Sequence, residues 1–201
     1  MTPTLAMTVF LIGAVIWFII RIPARRRARK TAVKLSGRGL REKALMAVSL
    51  TGLGIIPLAY IASNLESARF RFLSFADRPF VPALAWLGTL VFAASLWLFY
   101  RTHEDLGRNW SVSLDIRESH KLITSGVYAL VRHPMYSAFW LWAIAQALLL
   151  PNWVAGFAGI VGFGILFFGR VGEEERLMCD AFGDEYRAYM RRTSRVLPGL
   201  Y

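Results

Sequence analysis

MYSAFWLWAIAQALLLPNWVAGFAGIVGFGILFFG, residues Met135 to Gly169, consists of two apolar runs separated by Pro151 and Asn152. The runs, Met135 to Leu150 and Trp153 to Gly169, hold about 16 and 17 residues, or roughly 25 Å of helix each against a hydrocarbon slab of about 30 Å. Pro151 stops the first helix because its ring would forfeit a backbone hydrogen bond, and Trp153 is an interfacial anchor type. The stretch predicts a helical hairpin at the edge of spanning length, with a re-entrant hairpin as the alternative.

Working outward, three further apolar blocks are long enough to span: Leu5 to Ile20, Ala44 to Ala62 and Phe80 to Tyr100. With 56% apolar residues gathered into such runs, the 201-residue chain is expected to be an all-α integral membrane protein of about five transmembrane helices. We expect one membrane domain over 1–201, with three spans within 1–100 and a functional half, 101–201, built from a polar loop, the hairpin and a C-terminal helix. Gly52, Gly54 and Pro57 in the second block permit close helix packing and a kink.

The net charge of +11 would suggest nucleic acid in a soluble protein, but its placement points to a membrane. Arg21, Arg25, Arg26, Arg27, Arg29, Lys30, Lys34, Arg38, Arg41 and Lys43 all fall in the first interhelical segment. The positive-inside rule puts that segment in the cytosol, against anionic lipid headgroups, and the N-terminus outside. Counting five spans places 63–79 outside and brings 102–134 and 170–201 to the cytosolic side, where basic residues again concentrate. Met1 to Met7 lacks a basic leader region and Leu5 to Ile20 is followed at once by Arg21, so the first span is expected to be retained.

Polar chemistry gathers on both flanks of the hairpin. Residues 101–131 mix Gly107, Asn109, Ser111 and Ser113 with Trp110, Val112, Leu114 and Ile116; the alternation from Trp110 to Ile116 predicts an extended run within a cytosolic lid. At the hairpin's entry, Pro134 suits the first turn of a helix and leaves His133 at its mouth, with first-turn amides available to an anion. Capping is the plainer role for such a histidine. At the hairpin's exit, Arg170 and Glu174 lie four apart and so share a helix face; a simple salt bridge competes with a ligand role. Arginine grips carboxylates bidentately, which makes Arg170 a candidate for an anionic ligand. Of Glu173, Glu174 and Glu175, only one can face a given pocket, and register with Arg170 favours Glu174. Leu177, Ala181, Phe182, Tyr186 and Tyr189 recur at helical spacing beyond, as in an amphipathic helix lying over the lid.

Other machinery is missing from the sequence. It has no GxGxxG, Walker, HExxH or G-x-S-x-G pattern, and its three histidines and single Cys179 argue against a metal centre or a disulfide.

Leu106-Gly-Arg-Asn-Trp-Ser111, Gly126-Val-Tyr128, Arg132-His-Pro-Met-Tyr136, Glu173-Glu-Glu175, Phe182-Gly-Asp-Glu-Tyr186 and Arg195-Val-Leu-Pro198 together resemble the isoprenylcysteine carboxyl methyltransferase family of integral membrane enzymes. The resemblance covers roughly the last 100 residues, and the layout is most similar to the small five-helix prokaryotic members. It implies S-adenosylmethionine as cofactor, with S-adenosylhomocysteine as product, in a cytosolic pocket under the loop and C-terminal helix. Cofactor contacts carried over by motif are Ser113, His120, Lys121, Leu122, Ile123, Tyr128, His133, Pro134, Met135, Tyr136 and Glu174. Ser113 stands where the eukaryotic pattern has Gln, so its contact would be shorter or water-mediated. Arg170 matches the arginine assigned to the substrate carboxylate and is the catalytic candidate.

The expected activity is therefore carboxyl O-methylation of an isoprenylcysteine-like acceptor that enters from the bilayer. Phospholipid amines or small thiols are alternative acceptors for the same cofactor. A non-catalytic membrane protein binding lipid or a partner through the basic loop, and a nicotinamide-dependent sterol reductase of the wider superfamily, are the competing classes.

Overall fold

A computed structural model describes residues 1–28, 33–36, 39–65, 71–107, 115–117 and 122–200. Helix α1 spans Pro3–Ala28, and the second membrane crossing is assembled from α2 (Leu40–Leu50), a π-helical turn (Thr51–Ile55) and α3 (Ile56–Leu65). Helix α4 covers Pro82–Leu106, α5 Pro134–Leu149, α6 Trp153–Phe182 and α7 Asp184–Arg192. Two short strands, β1 (Val33–Ser36) and β2 (Asp115–Arg117), pair antiparallel with Leu35 opposite Ile116. The last two residues of the extended run expected over 110–116 fall in β2; Trp110 to Leu114 lie outside the described residues.

Apart from this strand pair, the architecture is a helical membrane bundle. Four helical stretches among the described residues are long and apolar enough to cross a bilayer: Pro3–Pro23, Leu40–Asn64, Pro82–Leu106 and Trp153–Phe182. The fifth expected span, α5, has 16 residues, about 24 Å at 1.5 Å per residue, and so falls short by length alone. Its partner differs from the sequence reading. The apolar run stops at Gly169, but α6 continues unbroken for 30 residues through Arg170 and the three glutamates, because none of those residues opposes helix. Gly183, at φ +55°, ends it and α7 starts at once, dividing the C-terminal amphipathic segment into two pieces.

Close packing sets the bundle's order. Helix α5 lies along α4, where Ser95 Oγ donates to the Ala138 carbonyl at 2.7 Å and a Cβ on Gly88 would stand 2.8 Å from the Leu148 side chain. Phe10, Phe92 and Trp142 tie α1 to this pair, with ring centroids 4.9 to 6.1 Å apart. The second crossing packs on α6 through glycine: a Cβ on Gly52 would fall 2.2 Å from the Ala158 carbonyl oxygen, and one on Gly162 would fall 2.8 Å from that of Val48. Gly52 sits in the π turn, where the changed register displaces backbone partners. Fully buried Gln146 on α5 answers by donating to the Gly52 carbonyl at 3.0 Å and the Ala155 carbonyl at 2.7 Å.

The α5–α6 turn is fixed at the end of the bundle opposite the polar site. Asn152, also fully buried, accepts from the Ala155 amide at 2.8 Å as a helix cap and donates to the Leu73 carbonyl and to Asp77 at 2.7 and 2.9 Å. Tyr60 and Arg71 hold the same Asp77 carboxylate. Arg78 donates to the carbonyls of Ala147 and Leu150, serving the unsatisfied end of α5. Thus α5, although short, runs from the site to the level of the α3–α4 connection.

Candidate functional site

The site forms where the start of α5, the polar extension of α6, the first turn of α2 and the C-terminal tail meet. Three consecutive glutamates on α6 project about 100° apart around the axis, so each meets a different neighbour. Glu173 faces out and pairs with Arg41 of α2 at 2.9 Å. Glu174 turns inward, accepting from the Tyr136 hydroxyl at 2.5 Å and standing 3.7 Å from Arg170 Nε. Glu175 is 4% exposed and belongs to a separate cluster.

That cluster is a carboxylate gripped from three sides. Arg132 reaches Glu175 Oε1 through Nε and Nη2 at 3.0 and 2.9 Å; Arg195 reaches Oε2 through Nε and Nη2 at 3.0 and 2.8 Å. His133 Nε2 lies 3.3 Å from Oε1. Charges this buried are tolerated only when paired and hydrogen-bonded, and removing one member leaves the others uncompensated. Arg132 also donates to the Thr193 and Met190 carbonyls.

Backbone contacts zip the tail onto the entry of α5. The amides of Arg132 and His133 donate to the carbonyls of Ser194 and Arg195 at 2.8 and 2.9 Å, and Ser137 Oγ donates to the Val196 carbonyl at 2.7 Å. Tyr189 of α7 donates its hydroxyl to the Tyr128 carbonyl. Burial pushes the Tyr189 hydroxyl up to about 12, so it stays a donor at neutral pH. Tyr128, on a 3-10 turn over Gly126–Ala129, is held well above the usual phenol range by burial and then by the nearby Glu174 carboxylate. Asp105 at the end of α4 accepts from the Val127 amide at 2.9 Å. Gly126 permits this approach: its φ is +61°, and a Cβ there would lie 2.1 Å from Asp105 Oδ2.

The expected site residues distribute as follows. Tyr136, Glu174 and Arg170 come together, with Tyr128 close enough to feel the Glu174 charge. His133 occupies the N-cap position of α5, as the plainer reading expected, but its ring makes no capping bond; it is buried and stacks on Tyr136 at 5.4 Å. Pro134 occupies the first turn of α5 beside Met135. Leu122 and Ile123 are half-buried in the irregular segment leading to the 3-10 turn. Ser113, His120 and Lys121 lie outside the described residues.

Several participants were not singled out from sequence. Glu175, Arg132 and Arg195 appear in the sequence motifs, but pairing residues 20 and 43 positions apart requires the fold. Glu42, 7% exposed at the start of α2, approaches Arg170 Nη1 at 3.5 Å and had no signal beyond a lone acid among bases.

At this end of the helical bundle an arginine, a carboxylate and a phenol come together near a clamped C-terminal tail, side chains of the kinds that bind charged groups. Residues 86–180 match the profile of the isoprenylcysteine carboxyl methyltransferase (ICMT) family. The chain is 35% identical over 94 residues to protein-S-isoprenylcysteine O-methyltransferase B of Arabidopsis thaliana, covering 46% of this chain and 48% of that protein. It is 36% identical over 90 residues to the Homo sapiens protein-S-isoprenylcysteine O-methyltransferase, covering 45% and 32%. With the Dictyostelium discoideum enzyme of the same name it shares 26% over 125 residues, covering 59% and 51%. The chain thus spans about half or less of these relatives' lengths.

Proposed function

We propose that this protein is an S-adenosylmethionine-dependent methyltransferase that esterifies the carboxylate of an isoprenylcysteine-like acceptor. The observation that carries the reading is the convergence of Arg170, Glu174 and Tyr136 at the polar mouth of α5 and α6, inside the matched region. S-adenosylmethionine, when bound, supplies a methyl group on a positive sulfonium. The donor set suits such a group: the Glu174 carboxylate, aimed by the Tyr136 hydroxyl, offers an acceptor to amino or hydroxyl hydrogens, and the neutral Tyr128 phenol lies nearby. His133, Pro134 and Met135 would line the same wall, with Ser113, His120, Lys121, Leu122 and Ile123 contributed by the preceding loop.

Arg170 would hold the acceptor carboxylate. A carboxylate is ionised at neutral pH, so one oxygen can form the new C–O bond while the C–S pair stays on sulfur, and no proton changes hands. The protein's task is alignment and exclusion of water, which together can lower the barrier by several kcal/mol. A prenylated acceptor would enter sideways from the bilayer, its tail left in hydrocarbon. Equal turnover of a tail-free carboxylic acid would remove that lateral route.

The orientation follows from charge: the end holding Arg41, Arg132, Arg170 and Arg195 faces the cytosol, the basic first loop meets anionic headgroups, and the N-terminus lies outside. Calorimetry with S-adenosylhomocysteine, followed by methylation assays over lipidated carboxylates, amines and thiols, tests the reading. Micromolar product binding and turnover of the carboxylate are expected; no binding removes the proposal.

A further inference from the structure

Asp105 stands where an acid does little for its own helix. It lies in the last turn of α4, at the negative end of the helix dipole, and its partner Arg101 precedes it by four residues, the less favourable order for such a pair. That pair is 3.2 Å apart with the Arg101 side chain exposed, so it contributes little to holding α4. The other carboxylate oxygen, Oδ2, accepts from the Val127 amide at 2.9 Å, a partner 22 residues along the chain.

Val127 and Tyr128 both sit buried on the 3-10 turn Gly126–Ala129. The first amides of so short a turn have no partner within it, and at a buried position water does not replace one. Asp105 supplies the acceptor, and its charge makes the bond one of the stronger kind. The fit is close: Gly126, at φ +61°, leaves room for the carboxylate, and a Cβ there would collide with Oδ2. The Tyr189 hydroxyl of α7 donates to the Tyr128 carbonyl. The turn is thus held from α4 by an amide and from α7 by a carbonyl. It carries the Tyr128 phenol, kept protonated by burial and then by Glu174, Tyr189 and Asp105 nearby. Tyr136 and Glu174 are placed by the hairpin helices themselves, whereas Tyr128 lies before the hairpin and needs this separate support.

We propose that Asp105 is a positioning residue for cofactor binding: by capturing the Val127 amide it sets the 3-10 turn, and with it Tyr128, at the wall of the cofactor site near Glu174. This inference rests on the methyl-transfer reading above. An alanine at 105 leaves the buried amide unmet, so the turn must shift to find another acceptor. An asparagine keeps an acceptor oxygen for the amide and gives up the charge and the exposed pair with Arg101.

The test uses the full chain in lipid nanodiscs, S-adenosylhomocysteine for calorimetry, and S-adenosylmethionine with an S-farnesylated cysteine derivative for turnover. Asp105→Ala should raise the S-adenosylhomocysteine Kd and the S-adenosylmethionine KM about tenfold, while kcat at saturating cofactor and the acceptor KM stay within about twofold. Asp105→Asn should bring cofactor affinity back to within about threefold of the unsubstituted protein. Arg101→Gln, which leaves the amide bond in place, should stay within about twofold. Asp105→Glu keeps the charge but is a methylene too long for the gap at Gly126; it should weaken the cofactor several-fold and stands in for the alanine should that variant fold poorly. Unchanged cofactor affinity in a folded alanine variant, or in the glutamate variant where the alanine does not fold, overturns the positioning role. So does an asparagine variant as weak as the alanine, or kcat and both KM values worsening together with the thermal midpoint. Absence of S-adenosylhomocysteine binding or of any turnover by the unsubstituted protein overturns the methyl-transfer reading instead, and this inference with it.

Discussion

Glu174 and Glu175 are adjacent in sequence and opposite in character. Glu174 answers to a phenol and a guanidinium at the mouth of the hairpin, so substitutions around it should disturb ligand chemistry more than folding. Tyr136→Phe deletes one hydrogen bond to a charged acceptor, of a kind worth about 1.5–3 kcal/mol; S-adenosylhomocysteine affinity measured by calorimetry should fall at least tenfold while the thermal midpoint moves little. Arg170→Ala should keep cofactor affinity and lose acceptor turnover by about a hundredfold or more, and Arg170→Lys should recover only part, because an ammonium lacks the planar fork. Glu175→Gln is expected to do the reverse. Leaving Arg132, His133 and Arg195 around a neutral amide should cost about 3–5 kcal/mol of stability, read as a lowered midpoint in detergent and early proteolysis of the tail beyond Thr193. An unchanged midpoint would show that the buried cluster does not hold the tail. From sequence, Arg170 and Glu174 were legible because a four-residue spacing on a helix is a contact by itself. The roles of Glu175 and Glu42 were not, since each depends on partners supplied by other elements.

At the level of elements, apolar runs identified the helices but not their ends. α4 continues six residues past the expected limit of Tyr100, and α6 carries Arg170 and the glutamates within one unbroken rod. A change from apolar to charged residues marks where a helix leaves hydrocarbon, whereas its end is set by backbone chemistry, here Gly107 and Gly183 at positive φ. Gly52 was read correctly as a packing residue, whereas a Cβ on Gly54 would meet only the Leu50 side chain at 3.6 Å; the partner of Gly52 could not be named, because a π turn and a glutamine from α5 complete the seam. Gly52→Ala drives a methyl group to 2.2 Å from a backbone oxygen that has no rotamer to escape through, so a loss of about 1–3 kcal/mol is expected. Because the same seam holds the start of α2 beside Arg170, the acceptor KM should rise as well. A stable variant with normal kinetics would disconnect the seam from the site.

For the molecule as a whole, the open matter is how a 16-residue helix takes part in a membrane fold. Length alone would make α5 re-entrant, but its far end is bonded level with the α3–α4 connection: Asn152 reaches Leu73 and Asp77, and Arg78 serves the last carbonyls of α5. A hairpin turning back midway would leave Asn152 and those carbonyls in hydrocarbon, where each unmet polar group costs several kcal/mol. Charge bias then predicts that this end lies outside and the Glu175 end inside. In a Cys179→Ser background, single cysteines at Phe75, which is 84% exposed, and Trp153, which is 58% exposed, should react with a membrane-impermeant maleimide in intact cells. One at Glu185 should react only in inverted membranes. Labelling of positions 75 and 153 from opposite sides would make the hairpin re-entrant, while positions 75 and 185 reacting from the same side would break the five-crossing count. The expected pattern would put the Arg170 site on the same side as the basic first loop, where a soluble cofactor and a lipid tail can both reach it.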